Sequence, residues 1–311
     1  MSKKTKRNLS IFAFLAPAII LFVGVLITPI IVSFIFSFFK MKQFTLSTAT
    51  FVVLGNYKAL FDPEEEGVSL LKAFFTRDKA YGMGFITALR NSLILAFFSV
   101  FLQLPLSLGL ALVLGRRIKG EKAFLSIYFM PVLISTIIIG QLFSSIYNPD
   151  RGMLNAFLKL IGHEDWIRIW LIDKNTRIPA LFLPTLWQYV GYHMLLMYAG
   201  VKGVSPDLRE AAMLDGATNS QVNRYIVIPS IKPIIKVSVI FAVTGSLKSY
   251  DLVKMLAGDR YDHYLDVPSI LMIREMNSNN YGMASAIATM LIFLCFFFAL
   301  LIGFMFREKD N

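Results

Sequence analysis

The stretch REAAMLDGATNSQVNRYIVIP, residues 209–229, is the longest polar helical segment in a chain that is otherwise mostly apolar. Its borders are well marked. Ser205 is a good N-cap, Pro206 suits the first helical position, and Asp207 puts negative charge where the helix dipole favours it. Gly216 supplies a left-handed stop. Thr218 and Gln221 then read as a capping box that opens a second helix, and Pro229 closes the unit. The spacing predicts helix, tight turn, helix. Leu208, Ala211, Ala212 and Asp215 recur about once per turn, giving a face low in bulk beside Glu210. Small alanines admit a second surface close to the backbone, and the flanking charges fix its register. The alternative is an ordered brace between the segments on either side.

Those flanking segments are membrane-like. With 56% hydrophobic and 16% charged residues among 311, the chain falls well below the roughly 25% charged of a soluble average. Uncharged runs cover 8–39, 91–115, 123–149, 178–201 and 276–306. Each exceeds the roughly 20 residues that cross a bilayer core. A sixth run, about 229–253, is interrupted only near its ends by Lys232, Lys236, Lys248 and Asp251, where lysines can snorkel. The expected fold is an all-α polytopic membrane protein with six transmembrane helices and a cytoplasmic helix-turn-helix. Its parts are a tail (1–10), a first span (11–39), an outer loop (40–85), a core of spans two to six (86–306) holding the hairpin 205–228, and a tail (307–311).

Orientation follows from Lys and Arg. Fourteen lie in about 54 positions on the side carrying the N-terminus, and fourteen in about 107 positions on the other. The denser side is read as cytoplasmic, with both termini and the hairpin on it, which places the chain in the plasma membrane. The formal charge of +11 is then a topology signal, with no basic stripe interleaved with aromatics to suggest nucleic acid. The first apolar run is too long for a signal peptide. The single cysteine, Cys295, excludes a disulfide framework.

Glu210-Ala211-Ala212, Gly216 after three further residues, and Ile226-Val227-Ile228-Pro229 after nine more resemble the EAA loop of ABC importer permeases, with Ile228 where the family usually has Leu. Asp215-Gly216-Ala217 is similar to the version in the carbohydrate-uptake branch, that of the maltose and glycerol-phosphate permeases. Further pieces that look like this family follow in order: Gly55-Asn56-Tyr57, Arg90-Asn91, Gly115-Arg116-Arg117, Pro131, Gly140, Gly152, Trp187-Gln188, Gly191 and Tyr281-Gly282. Ala257-Gly258-Asp259-Arg260 departs from the Gly-Gly-Pro turn of many sugar permeases. The resemblance implies half of the pathway for a sugar or oligosaccharide. It also implies a second related permease forming a heterodimer, two ATPase subunits that hold ATP and Mg, and an extracytoplasmic solute-binding protein. Glu210 becomes the charged anchor on the ATPase, Ala211 and Ala212 the close-packed face, Asp215 a flanking charge and Gly216 the bend.

The chain itself is expected to be non-catalytic and to bind no cofactor. It has no G-x-x-x-x-G-K-[ST] phosphate loop, no H-E-x-x-H pair and no G-x-S-x-G elbow. A secondary transporter would show an internal repeat, and none is found. An intramembrane enzyme would need a convergent nucleophile and base.

Polar residues inside spans are the pathway candidates. The inventory holds Asn91, Gln103, Gln141, Ser144, Ser145, Gln188, Tyr189, Tyr192, His193, Lys248, Tyr250 and Asp251. The preferred contacts are Gln188, Tyr189, Tyr192, Tyr250 and Asp251, since aromatic faces and amide or carboxylate groups suit a sugar ring and its hydroxyls. Lys248 and Asp251, nearly a turn apart, are also placed to pair with each other. The outer segment 153–161 reads as amphipathic, at the outer membrane surface. The acidic run Glu64-Glu65-Glu66 is read either as a contact for the binding protein or as a solvated loop.

Overall fold

The computed structural model describes residues 3–42, 49–61, 74, 84–116, 118–257 and 265–307. Glu64–Glu66, His263, Arg117, Gly258–Arg260 and most of the loop 40–85 lie outside the described residues. Among the described residues the fold is all-α, as expected, apart from one two-residue strand pair.

In chain order the elements are α1 (Lys3–Leu21), α2 (Thr28–Phe36), β1 (Phe39–Lys40), β2 (Thr50–Phe51), α3 (Gly55–Phe61), α4 (Gly84–Phe98), α5 (Leu104–Leu114), α6 (Glu121–Leu133), α7 (Thr136–Ile146), α8 (Met153–Leu160) and α9 (Arg177–Gly203). They continue with α10 (Pro206–Leu214), α11 (Asn219–Val222), α12 (Ile228–Ser230), α13 (Lys232–Leu247), α14 (Asp251–Ala257), α15 (Pro268–Asn277) and α16 (Tyr281–Met305).

Three π-helical segments, Phe22–Ile27, Ser99–Gln103 and Asn223–Val227, were not foreseen in the sequence and share one cause. Each stops two residues before a proline: Pro29, Pro105 and Pro229. The residue just before the proline donates its N–H five residues back, Thr28 to Val23, Leu104 to Ser99 and Ile228 to Asn223. A proline inside a helix lacks an N–H and its ring strikes the carbonyl four residues earlier. Widening the preceding turn relieves that clash while the helix continues.

Ile11–Phe36, Gly84–Leu114 and Tyr281–Met305 are long and apolar enough to cross a membrane. Two further pairs qualify jointly but are sharply bent: α6 with α7, by 90°, and Asn219–Ser230 with α13, by 70°. The six-span expectation also counts α9, whose 27 residues are long enough but carry more polar groups. Two expected boundaries move. The first span ends at Phe36, with residues 37–38 in a turn before β1. The fifth ends at Leu247, so Tyr250 and Asp251 fall beyond it, and Asp251 opens α14.

The chain divides into two compact units, residues 1–62 with 272–292 and residues 63–271 with 293–311. In the first, β1 and β2 pair antiparallel with Phe39 opposite Phe51. The buried Asn56 amide donates to the Ser37 and Phe39 carbonyls at 2.8 and 2.9 Å, which fixes α3 against the end of α2.

In the second unit, α9 is the central rod, packed on α5 and α6, while α7 packs on α14 and α13 on α4. Closeness depends on small residues. A Cβ on Gly191 would stand 1.8 Å from the Tyr128 carbonyl, so only glycine lets α9 cross α6 there. One apolar core, including Leu181, Val253 and Leu265, joins α9 to α14 and the segment before α15. Another, with Val201, Val222, Val227 and Ile231, lies beneath the hairpin.

Candidate functional site

Two places in the larger unit concentrate polar chemistry. The first is a cavity of about 450 Å³. Its wall is built from interrupted helices. Ser99 and Gln103 come from the π-helical segment, Thr136 from the first turn of α7, and Thr185, Tyr189, Tyr192 and His193 from α9. Thr244 and Ser246 come from α13, Lys248–Tyr250 from the break after it, and Asp251 from the start of α14.

Four of the five preferred contacts, Tyr189, Tyr192, Tyr250 and Asp251, line this cavity; Gln188 does not. Gln188 is 2% exposed and donates to the Ile134 carbonyl at 3.3 Å and to Thr136 Oγ1 at 3.1 Å. The first atom belongs to the break between α6 and α7, where Ile134 and Ser135 are extended, and the second to the first residue of α7 after it. One residue of helix is about 100° of rotation, which separates Gln188 from Tyr189. Thr185, Tyr189 and Tyr192 follow the i, i+4, i+7 pattern of one face, a signal that identifies Thr185 from sequence once applied. Asn91, Gln141, Ser144 and Ser145 are also away from the cavity; the Asn91 amide donates to the Asp266 carbonyl at 2.9 Å. Among the described residues Lys248 and Asp251 form no ion pair with each other, and both are exposed.

Two buried atoms of the cavity-lining residues lack partners among the described residues. They are Gln103 Oε1 and His193 Nδ1, on side chains 2% and 4% exposed. A buried polar atom left unpaired costs about 1–3 kcal/mol.

The second place is the hairpin of α10 to α12, which matches the caps read from sequence. Ser205 Oγ accepts from the Asp207 N–H at 3.2 Å, and Thr218 and Gln221 form the reciprocal capping box. Gly216 has φ +86°, a left-handed conformation that costs a residue with a Cβ. Glu210, Ala211 and Asp215 are exposed, whereas Ala212 packs half-buried on the core beneath. Leu208 and Leu214 project outward at 55% and 89% exposure.

The hairpin is tied to the rod that reaches the cavity. The Arg209 guanidinium donates to the Val201 carbonyl of α9. Close by, Lys202 pairs with Glu121 of α6 at 3.0 Å, and the Tyr198 hydroxyl also donates to Glu121.

An exposed capped hairpin is thus joined through α9 to a polar cavity walled by interrupted helices. Residues 80–309 match the family model of the binding-protein-dependent transport system inner membrane component. The chain belongs to this family. The permease is 31% identical over 287 residues to the probable ABC transporter permease protein YurN of Bacillus subtilis, covering 91% of each chain. It is 29% identical over 230 residues to the diacetylchitobiose uptake system permease protein NgcF of Streptomyces coelicolor, covering 70% of this chain and 65% of the other. Its fold is similar to a chain of a bacterial ABC transporter that imports the acidic polysaccharide alginate, with TM-score 0.79, 24% identity and 99% of each chain covered. It is thus a non-catalytic membrane component of an ABC transport system.

Proposed function

We propose that the permease forms half of the pathway of an ATP-driven importer for a sugar or oligosaccharide. The single observation that carries this reading is the cavity, whose tyrosines and hydroxyls offer a sugar ring faces and hydrogen bonds together. The name of the diacetylchitobiose relative supports the same cargo class. Six spans with both termini cytoplasmic put the hairpin on the ATPase side. There Glu210, Ala211, Asp215 and the outward leucines meet an ATPase subunit, Ala212 braces the helix from below, and Gly216 makes the bend. Two such ATPases hold ATP and Mg, and an extracytoplasmic binding protein delivers cargo; the binding-protein dependence in the family description supports the second of these partners. A second permease, as heterodimer partner, supplies the other half of the pathway.

The test is reconstitution of the permease with its ATPase, second permease and binding protein in liposomes. Uptake of labelled diacetylchitobiose and neutral disaccharides is followed, with ATP hydrolysis measured in parallel. ATP-dependent uptake that is lost in Glu210→Ala supports the reading; uptake driven by an ion gradient without ATP refutes it and leaves an ion-coupled secondary transporter. One observation favours a different polar cargo such as glycerol-phosphate: Lys248 faces the cavity with no ion pair among the described residues. Competition by glycerol-phosphate that Lys248→Met abolishes separates the two cargoes.

A further inference from the structure

Helix α8 has an inverted surface. Its inner face is buried, with Asn155 at 3% and Leu158 at 7% exposure. Its outer face carries Met153, Phe157 and Leu160 at 67%, 55% and 84%, spaced as one helical stripe. A helix on a watery surface places polar residues outward. Ile161 and Trp166 extend the apolar surface, with Trp166 exposed and stacked on His163 at 4.6 Å.

The stripe is held rigidly from behind. The Asn155 amide donates to the Pro149 and Arg168 carbonyls at 3.2 and 3.3 Å, and its Oδ1 accepts from Trp170 Nε1 at 2.8 Å. Burial of one face is therefore complete, and the exposed face still needs a non-aqueous cover. With eight residues, about 12 Å, the helix is too short to cross a bilayer.

We propose that α8 and Trp166 lie in the bilayer interface, the stripe in the headgroup and acyl boundary, as a fixed foot for α7. Three observations select lipid as the occupant. The segment 147–176 leaves from α7 and returns into α9, both apolar helices, and α7 itself exposes Ile137, Ile138 and Leu142. An exposed Trp and a Lys159 at the flank of an apolar stripe match the amphipathic groups of membrane interfaces. The segment also carries four acidic and four basic residues, so no net charge steers it toward a charged protein surface. That the leaflet is the outer one rests on the topology proposed above; contact with lipid does not.

The permease has one cysteine, so Cys295→Ala gives a background for a single label. A nitrobenzoxadiazole fluorophore is attached at Leu160→Cys, and separately at Ser220→Cys in the exposed hairpin, with the protein in nanodiscs. Ordinary phosphatidylcholine is compared with phosphatidylcholine brominated along its acyl chains. The expected result is blue-shifted emission at 160 that loses most of its intensity to bromine, with water-like, unquenched emission at 220. Met153→Cys on the same stripe repeats the first pattern. Water-like emission at 160 and 153 in lipid overturns the proposal. Shielding that arises only on adding the binding protein or second permease also overturns it and assigns the face to that protein. Neither ATP nor cargo enters the measurement, so failed transport and a failed foot remain distinguishable.

Discussion

The hairpin and the cavity are built by opposite means. In the hairpin every turn is specified within a few residues: Ser205, Thr218 with Gln221, and Gly216 each satisfy or end a helix locally. The cavity exists only because distant helices break at one place. Its wall brings together the extended residues 134–135, the π-helical segment 99–103 that precedes Pro105, and the gap between α13 and α14, three breaks that lie far apart in the sequence. A locally specified element can be exposed and handled by a partner, whereas a tertiary one has to be held from all sides.

That contrast is breakable by mutation. The largest effect is expected on the tertiary side, at the crossing of α9 over α6. Gly191→Val should leave little folded protein, and Gly191→Ala should cost about 1–3 kcal/mol, since its Cβ meets backbone rather than a yielding side chain. Thermal unfolding in nanodiscs measures this, and an unchanged Tm would mean that α9 and α6 are loosely joined. Next, Glu210→Ala should reduce cargo-stimulated ATP hydrolysis about tenfold or more while Tm stays put, because the carboxylate is exposed and has only the partner to lose. A drop in Tm with normal hydrolysis would turn the hairpin back into a brace.

A sharper comparison sets neighbours against each other. Tyr189→Ala should raise KM for cargo several-fold, and Gln188→Leu should lower kcat and Tm with KM little changed, since one faces the cavity and the other ties the break. Equal KM effects would place Gln188 in contact with cargo after all. The smallest expected change is Thr218→Ala, about 1 kcal/mol of local stability from a lost cap, read by hydrogen exchange in residues 219–222.

Legibility in the sequence follows the same division. The all-helical membrane fold was readable because a bilayer demands long apolar runs, and the hairpin because caps are chemistry between neighbours. The preferred cavity residues were readable as a class, since polar groups inside spans are costly and have to face something. Their register was not. Gln188 and Tyr189 are adjacent in a sequence read for composition, and only the packing of α9 on α6 decides which one turns to the cavity. Lys248 and Asp251 looked like a pair at helical spacing, but the helix ends at Leu247 and the spacing no longer applies. The π-helical segments were legible in principle, since each precedes a proline within an apolar run.

The right-angle break between α6 and α7 bears on the order in which the chain assembles. Their 13 and 11 residues amount to about 20 and 16 Å of helix, so neither half traverses a hydrocarbon core of about 30 Å alone. The two halves therefore reach across such a core only in combination. The amide that holds the bend belongs to Gln188, which is synthesised some fifty residues after Ile134. The hydrogen bonds that hold this bend are thus complete only once α9 has been made.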